Sequence, residues 1–395
     1  MTEIGTTRSH ARRPWTIIAL LACLVMSPTL FSCQEDNLEE LGAVNHHRQA
    51  EWEKVKPNHS EASPEVRQLS LLFIGSSFGV NTCIQFPFLA KHYGIDITCA
   101  IMFKGSAPIK FYADACENDT LIVTNIFNND GRYRISKKTI DDMLEMQDWD
   151  IVVIQRGANE AAIWEEEQSE AMKRLVRYIR DHTVNNPTIL FNATQAKSVA
   201  FFSGKRQEQI DHTKQCMVTS MMVSRVSGLE VIPSAIATQN ARNTCLAQYG
   251  CFAYKVPDLS MDKSHLDIGI GSYVLGALMF ETIIKPLFGI SIEGNEYMPT
   301  AKELATIGMW KEDKYTSAEG IEDYFTIANE AAMSAARSGW ELNKEMPFKY
   351  AMPGATPQEW DLDIDYSKAY EYEYDKDYDV VEPIVDGMKE IVMAP

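Results

Sequence analysis

Positive charge is scarce in this chain. It holds 37 lysines and arginines against 55 aspartates and glutamates, and its formal net charge at pH 7 is −18. The sequence contains no basic stripe and no glycine-rich loop of the kind that cradles phosphate. Proteins that bind nucleic acids or anionic membrane faces neutralise phosphate with lysine and arginine. The composition therefore argues against nucleic acid as a partner.

Cysteine patterns typical of metal or redox sites are also missing. The chain has eight cysteines, and none is paired as Cys-x-x-Cys. We therefore expect no metal and no cofactor. If the protein is exported, Cys245 and Cys251 are the nearest pair in sequence for a disulfide, and buried free thiols are an equally good interpretation.

The N-terminus has the features of an export signal. Basic residues up to Arg13 precede an apolar stretch over 15–26, and the sequence Leu-Phe-Ser then leads into Cys33. A membrane-spanning helix is the alternative, but the stretch is shorter than the roughly 20 residues that a span needs, and Pro28 interrupts its end. Cysteine after a small residue resembles a bacterial lipobox, which implies cleavage before Cys33 and lipidation of its thiol. Gln34 directly after it resembles an outer-membrane sorting signal.

These features predict a signal peptide over 1–32, a polar tether over 33–66 and an outer-membrane lipoprotein of the cell envelope, held to the membrane at Cys33. Glu35 and Asp36 resemble an acidic tag for surface export. Removing the signal peptide takes away three arginines and one glutamate, so the formal charge moves from −18 to −20.

Short apolar runs alternate with amphipathic stretches from about residue 67 to 290. This alternation predicts an α/β domain with three layers, in which helices cover both faces of a mostly parallel sheet. Strands are expected over 69–74, 95–102, 151–155, 188–191 and 229–232, and helices over 84–92, 138–146, 166–182 and 207–226.

Small and polar residues follow several of these strands. Ser77 follows the first strand, Gly105 the second, and Asn159 the strand over 151–155. Ligands gather where the carboxyl ends of parallel strands open into loops, so one edge of the sheet can bring these residues together.

An acidic residue and a histidine stand three apart late in the chain, at Asp262 and His265. A serine hydroxyl becomes a good nucleophile when an oriented imidazole takes its proton. Ser77, His265 and Asp262 therefore supply a nucleophile, a base and an orienting group for acyl transfer. The alternative for Asp262 is a cap on the helix that follows.

The four blocks Gly75–Phe78, Gly105, Gly157–Asn159 and Asp262–His265 occur in the order found in the SGNH, or GDSL-like, hydrolases. Over roughly 69–290 the chain resembles a bacterial lipoprotein branch of that superfamily, known as domain of unknown function 4886. The resemblance implies an SGNH-like, flavodoxin-like fold and a serine esterase. It implies catalysis by Ser77, His265 and Asp262, with an oxyanion hole from Ser77, Gly105 and Asn159.

The chain departs from the family pattern at two positions. Ser76 stands where aspartate usually precedes the nucleophile, and Glu160 stands where the third block usually ends in aspartate. Neither change removes a catalytic atom, but both alter residues that can brace the loops. Two functions therefore stay open: an esterase that removes O-acyl groups such as acetyl from a carbohydrate, and a non-catalytic glycan-binding or scaffold lipoprotein on a hydrolase fold.

Two further residues are candidates for substrate binding. Arg242 can contact an anionic group of the substrate, or it can form a structural salt bridge. Trp164 can line the mouth of the cleft, or it can pack as an isolated aromatic.

The C-terminal extension over 291–395 has two parts. A stretch of small residues over 326–338 predicts a helix that packs closely on a neighbour. Between 359 and 390, acidic residues alternate with tyrosines, and a strand along the domain or a disordered tail fits this pattern equally well.

Overall fold

The computed structural model describes residues 67–251, 256–307 and 312–338. The predicted signal peptide, the tether with Cys33 and the acidic tyrosine-rich tail lie outside these residues. The described part forms a seven-stranded sheet between two layers of helices, so the predicted three-layer α/β class is confirmed.

The sheet has the order β4-β3-β2-β1-β5-β6-β7. Strands β2, β1, β5, β6 and β7 run parallel to one another, and β3 and β4 form an antiparallel hairpin at one edge. The strands are β1 Gln68–Gly75, β2 Asp96–Phe103, β3 Ile122–Asn128, β4 Arg132–Lys138, β5 Ile151–Gln155, β6 Thr188–Asn192 and β7 Glu230–Ile232.

The helices cover both faces of this sheet. In chain order they are α1 Ser77–Cys83, α2 Phe86–His92, α3 Ile109–Glu117, α4 Ile140–Met146, α5 Glu166–Asp181, α6 Arg206–Ser227, α7 Ser234–Arg242, α8 Ile270–Met279, α9 Lys285–Phe288, α10 Ala301–Leu304 and α11 Tyr324–Ser338. One π-helical turn, Phe280–Ile284, joins α8 to α9. The resulting rod, Ile270–Phe288, is long and apolar enough to cross a membrane, but most of it is buried in the core.

Strand β1 explains why both layers are needed. Successive side chains of a strand point to opposite faces, and here all of them from Leu69 to Ile74 are buried. Leu71 and Phe73 join the core cluster beneath α1, α7 and α8, whereas Leu72 and Ile74 join the cluster beneath α3 and α5. A strand that is apolar on both faces is stable only when helices cover both.

The β3–β4 hairpin was not predicted from the sequence. Its turn contains Asp130-Gly131, and Gly131 has a φ of +79°, a conformation that glycine adopts without strain. The helix expected over 84–92 also differs, because α1 precedes it and α2 begins only at Phe86. Pro87 lies in the first turn of α2, where proline favours a new helix start.

The segment after residue 290 belongs to the same core. Ile292, Leu304, Tyr324 and Ile327 are buried in the cluster that holds α8, and α11 packs against α7 and α8. The helical part of the predicted C-terminal extension therefore packs on the predicted domain over 67–290.

None of the six cysteines in the described ranges forms a disulfide. The Sγ atoms of Cys83 and Cys99 lie 3.4 Å apart in the core.

Candidate active site

Ser77 is the first residue of α1, directly past the carboxyl end of β1. The Ser76 hydroxyl accepts a hydrogen bond from the Phe78 N–H at 3.3 Å and caps the helix. A Cβ added at Gly79 would lie 2.2 Å from the ring of Phe73, so glycine lets α1 pack directly on β1. Ser76, which replaces the usual acidic residue, thus acts as a helix cap beside the candidate nucleophile.

His265 reaches this serine from the other end of the chain. Its Nε2 lies 2.9 Å from the Ser77 Oγ, and its Nδ1 lies 2.8 Å from Asp262 Oδ2. The ring of Phe78 packs on the imidazole with a centroid separation of 5.0 Å. Serine, histidine and aspartate therefore form one continuous hydrogen-bonded chain, with the nucleophile beside one ring nitrogen and the orienting carboxylate beside the other.

Asp262 is held by the backbone as well as by the imidazole. Its Oδ1 accepts hydrogen bonds from the N–H groups of Ser264 and His265, each at 2.6 Å. Burial favours the neutral acid, but the imidazole and these N–H groups outweigh it and lower the pKa of Asp262 below its ordinary value. The carboxylate therefore stays ionised at neutral pH and fixes the orientation of the ring.

Ser77 and His265 line a cavity of about 190 Å³. Its walls come from loops at the carboxyl ends of β1, β2, β5 and β6 and from the segment that carries the histidine. The lining residues are Ser76, Ser77, Phe78, Ser106, Ala158, Asn159, Lys197, Ser264 and His265.

Asn159 lines this cavity as the sequence predicts, but Gly105 does not. The neighbouring Ser106 takes the place at the cavity wall, with a left-handed φ of +54° that is unusual for a residue other than glycine. Among the described residues, neither the Ser77 N–H nor the Asn159 side-chain amide donates to a protein acceptor. Both are available to receive negative charge that develops on a substrate oxygen.

The loops that carry Ser106 and Asn159 are tied to each other. A Cβ added at Gly157 would lie 2.5 Å from the Ala107 carbonyl oxygen, so the close approach of the loops requires glycine. The Glu160 carboxylate accepts a hydrogen bond from the Ile109 N–H at 2.9 Å. Glu160, the second departure from the family pattern, therefore braces the site by joining the two loops.

The two residues expected to bind substrate are placed elsewhere. Arg242 is fully buried, where its Nε lies 3.2 Å from Asp258 Oδ2 and its Nη1 donates to the Ala196 carbonyl at 2.8 Å. Of the two roles expected for Arg242, the structure therefore shows the salt bridge and not a contact with substrate, because the guanidinium is buried and paired with Asp258. Trp164 is half-buried against the α5 side of the core and does not line the cavity.

Lys197, Ser106 and Ser264 line the site and were not predicted from the sequence. Lys197 follows β6, at the same sheet edge that the strand pattern marks for Ser77 and Asn159. Applying that argument to every strand would have found it. Nothing in the sequence distinguishes Ser264 from a loop residue.

Within the described ranges, no cluster of three histidine, cysteine, aspartate or glutamate side chains is arranged to hold a metal ion. Cys33, the predicted lipidation site, lies outside these ranges.

Comparison with known proteins gives a family and a fold. A crystal structure of a DUF4886 family protein from Bacteroides uniformis ATCC 8492 is 21% identical and superposes with a TM-score of 0.55, covering 70% of this chain and 98% of that one. A protein from Slackia heliotrinireducens, provisionally assigned as an SGNH hydrolase, is 14% identical with a TM-score of 0.37, covering 55% of this chain and all of that one. No curated protein matches the chain.

The sequence profile of the domain of unknown function DUF4886 matches residues 70–317. This match extends from β1 past the Asp262–His265 segment, so it contains every residue that lines the cavity. It also confirms the family predicted from the sequence. The chain belongs to the DUF4886 family.

Proposed function

We propose that this protein is a serine esterase that removes short O-acyl groups, such as acetyl, from a carbohydrate. The observation that carries the proposal is the hydrogen-bonded chain from Ser77 through His265 to Asp262, with separations of 2.9 and 2.8 Å. A protein that only binds glycans has no need for a serine, an imidazole and a carboxylate in this order. This chain of two hydrogen bonds therefore favours catalysis over the binding or scaffold alternative.

In the first half of the reaction, the Ser77 Oγ attacks the ester carbonyl carbon while its proton passes to Nε2 of His265. The carbonyl electrons move onto oxygen, and the Ser77 N–H and the Asn159 amide stabilise that charge. When the intermediate collapses, the bond to the sugar oxygen breaks and the imidazolium returns the proton to the departing alcohol. Ser77 is then an acyl ester.

In the second half, a water molecule takes the place of the alcohol. Its proton passes to His265 as its oxygen attacks the acyl carbon, and the imidazolium then protonates Ser77 as the acid leaves. Asp262 holds the ring in one tautomer throughout and stabilises the charged imidazolium that forms in both halves.

The size and chemistry of the cavity support the choice of substrate. A volume of about 190 Å³ accommodates a short acyl group. Hydroxyl and amide side chains dominate the lining, with Ser106, Asn159 and Ser264 among them. Such groups hydrogen-bond to a polar alcohol, whereas a long acyl chain needs an apolar channel.

Release of acetate from a panel of O-acetylated glycans tests this function, with long-chain lipid esters included for comparison. We expect acetate release by the parent protein and none above background by Ser77→Ala. Ser227→Ala is a matched control, because it removes a serine hydroxyl at the end of α6, outside the residues that line the cavity. Equal turnover by parent and Ser77→Ala would contradict the proposal, as would turnover of the lipid esters alone.

The cellular location is part of the proposal and rests on the sequence alone. We infer that Cys33 carries the lipid that holds the domain at the outer membrane. Cys33→Ser is expected to move the protein from the membrane fraction to the soluble fraction of the cell envelope.

A further inference from the structure

The candidate active site has an unusual charge for this protein. The chain as a whole is strongly acidic, with a formal net charge of −18. Among the residues that line the cavity, however, Lys197 is a cation and none is an aspartate or glutamate. A cavity that carries positive charge on an acidic protein attracts a negatively charged ligand.

Within the part of the chain that the structure describes, Lys197 contacts an aromatic ring and has no counterion. It lies between β6 and the short 3₁₀ helix Val199–Phe202, and its Nζ lies 3.9 Å from the centroid of the Phe201 ring. Among the described residues, no carboxylate lies within ion-pair distance of it. Other lysines do have such partners, all at more exposed positions: Lys110, Lys173, Lys205, Lys214 and Lys285.

Burying the ammonium group of Lys197 without a charge partner costs free energy. Lys197 is half-buried, and burial lowers the pKa of its ammonium group. Phe201 compensates in part, because a cation over an aromatic face is attracted by the electrons of the ring. An anion bound in the cavity would supply the charge partner that the described residues do not provide.

We propose that Lys197 is a specificity residue that binds a negatively charged group on the substrate, so that the preferred substrate is an O-acylated sugar bearing a carboxylate. The inference rests on the proposed esterase function, because it assigns the substrate of the same site. Ser77, His265 and Lys197 line one small cavity, so the carboxylate lies close to the ester that is cleaved. A sugar acid meets this requirement, since it carries its carboxylate on the ring that bears the acylated hydroxyls.

Two matched substrates test the inference: a monoacetylated methyl glucuronoside, and the methyl glucoside acetylated at the same position. We expect the parent protein to prefer the glucuronoside about tenfold in kcat/KM, the size of effect that one charged hydrogen bond provides. Lys197→Met keeps the length of the side chain and its packing on Phe201, and it should bring the ratio close to one. Lys173→Met removes an equal charge from the exposed face of α5, and it should keep the parent ratio.

Salt gives an independent readout. Added sodium chloride should reduce the preference in the parent protein, because ions screen the attraction between ammonium and carboxylate. It should have no such effect in Lys197→Met. The inference is overturned if the parent protein hydrolyses both esters without preferring the glucuronoside, or if Lys197→Met lowers kcat/KM equally for both esters.

Binding separates this inference from the proposed function. In a Ser77→Ala background, calorimetric titration should measure binding of the glucuronoside. Adding Lys197→Met to that background should weaken the affinity strongly. If the parent protein hydrolyses neither ester but this difference in binding appears, the esterase proposal fails and the anion site stands. If both esters are hydrolysed at equal rates and bind equally, the esterase proposal stands and the anion site fails.

Discussion

Replacing Asp262 by asparagine changes one atom at the contact that orients His265. In the structure, Asp262 Oδ2 lies 2.8 Å from Nδ1 of the imidazole, and Oδ1 accepts two backbone N–H groups. An asparagine oxygen can keep both backbone bonds in the Oδ1 position. Its NH₂ group then faces Nδ1, which must become an acceptor. The proton of the ring is therefore displaced to Nε2, the nitrogen that has to receive the proton of Ser77.

The expected effect is large because the variant ring cannot act as a base in that tautomer. In a serine protease the equivalent change lowers kcat about 10⁴-fold, which corresponds to about 5 kcal/mol in the activation barrier. The fold should change little, since the backbone hydrogen bonds of Asp262 survive. We therefore expect Asp262→Asn to lower kcat by about three to four orders of magnitude and to leave KM nearly unchanged.

Initial rates with an activated acetate ester, followed for parent and variant, measure this effect. Thermal unfolding of both proteins provides the control for stability. A variant within tenfold of the parent kcat, with the fold intact, would refute the view that Asp262 sets the tautomer of His265. Parallel losses of activity and thermal stability would point to a structural cap instead.

Two further substitutions test how the loops of the site are braced and how the buried carboxyl group of Asp267 titrates. Gly157→Ala adds a Cβ that would lie 2.5 Å from the Ala107 oxygen, so the two loops must move apart. This should lower the free energy of unfolding by about 1–3 kcal/mol and should also lower the esterase rate. If both values were unchanged, the close contact between the loops would be contradicted. Burial raises the pKa of Asp267 to about 7, so the folded protein keeps a proton that the unfolded chain releases near pH 4. The contribution of Asp267 to stability therefore falls as pH rises from about 4 to about 7. The stability of Asp267→Asn, measured by urea denaturation, should therefore increase relative to that of the parent as the pH is raised from 5 to 8. A difference in stability that does not change with pH would refute the raised pKa of Asp267.

Much of the fold could be predicted from the pattern of apolar residues. Strand β5 is a continuous run, Ile151 to Gln155, and the structure places the strand over the same residues. The helix from Glu166 was predicted within one residue, because its apolar residues recur at helical spacing at Met172, Leu175, Val176 and Ile179. Long, regular segments carry their own structural signal.

The parts that were missed depend on contacts between distant segments. Within the described ranges, strand β4 pairs only with β3 and is mostly polar. Its stability therefore comes from that pairing rather than from an apolar pattern. The continuation of the core past residue 290 depends on burial of side chains such as Ile292 and Tyr324 against α8. Such contacts cannot be inferred from spacing along the chain.

In the candidate site, too, some residues could be predicted from the sequence, and the role of others depends on contacts that form only in the folded chain. Ser77, Asn159, Asp262 and His265 were predicted because each stands at a strand end or at a recognisable spacing, and the structure brings all four together. The sequence left two roles open for Arg242, and the structure shows the salt bridge, because its partner Asp258 is near only after the chain folds. A buried ion pair and a substrate contact cannot be distinguished from the residue type alone.

Locating the adduct of a fluorophosphonate on the purified protein tests whether Ser77 is a nucleophile activated by His265. In this reaction the Ser77 Oγ bonds to phosphorus, fluoride leaves, and the serine proton passes to the imidazole. Peptide mass spectrometry should find the phosphonate on Ser77 in the parent protein, far less of it in His265→Ala, and none in Ser77→Ala. A parent protein that does not react, or one whose label lies on another residue and persists in Ser77→Ala, would contradict the account.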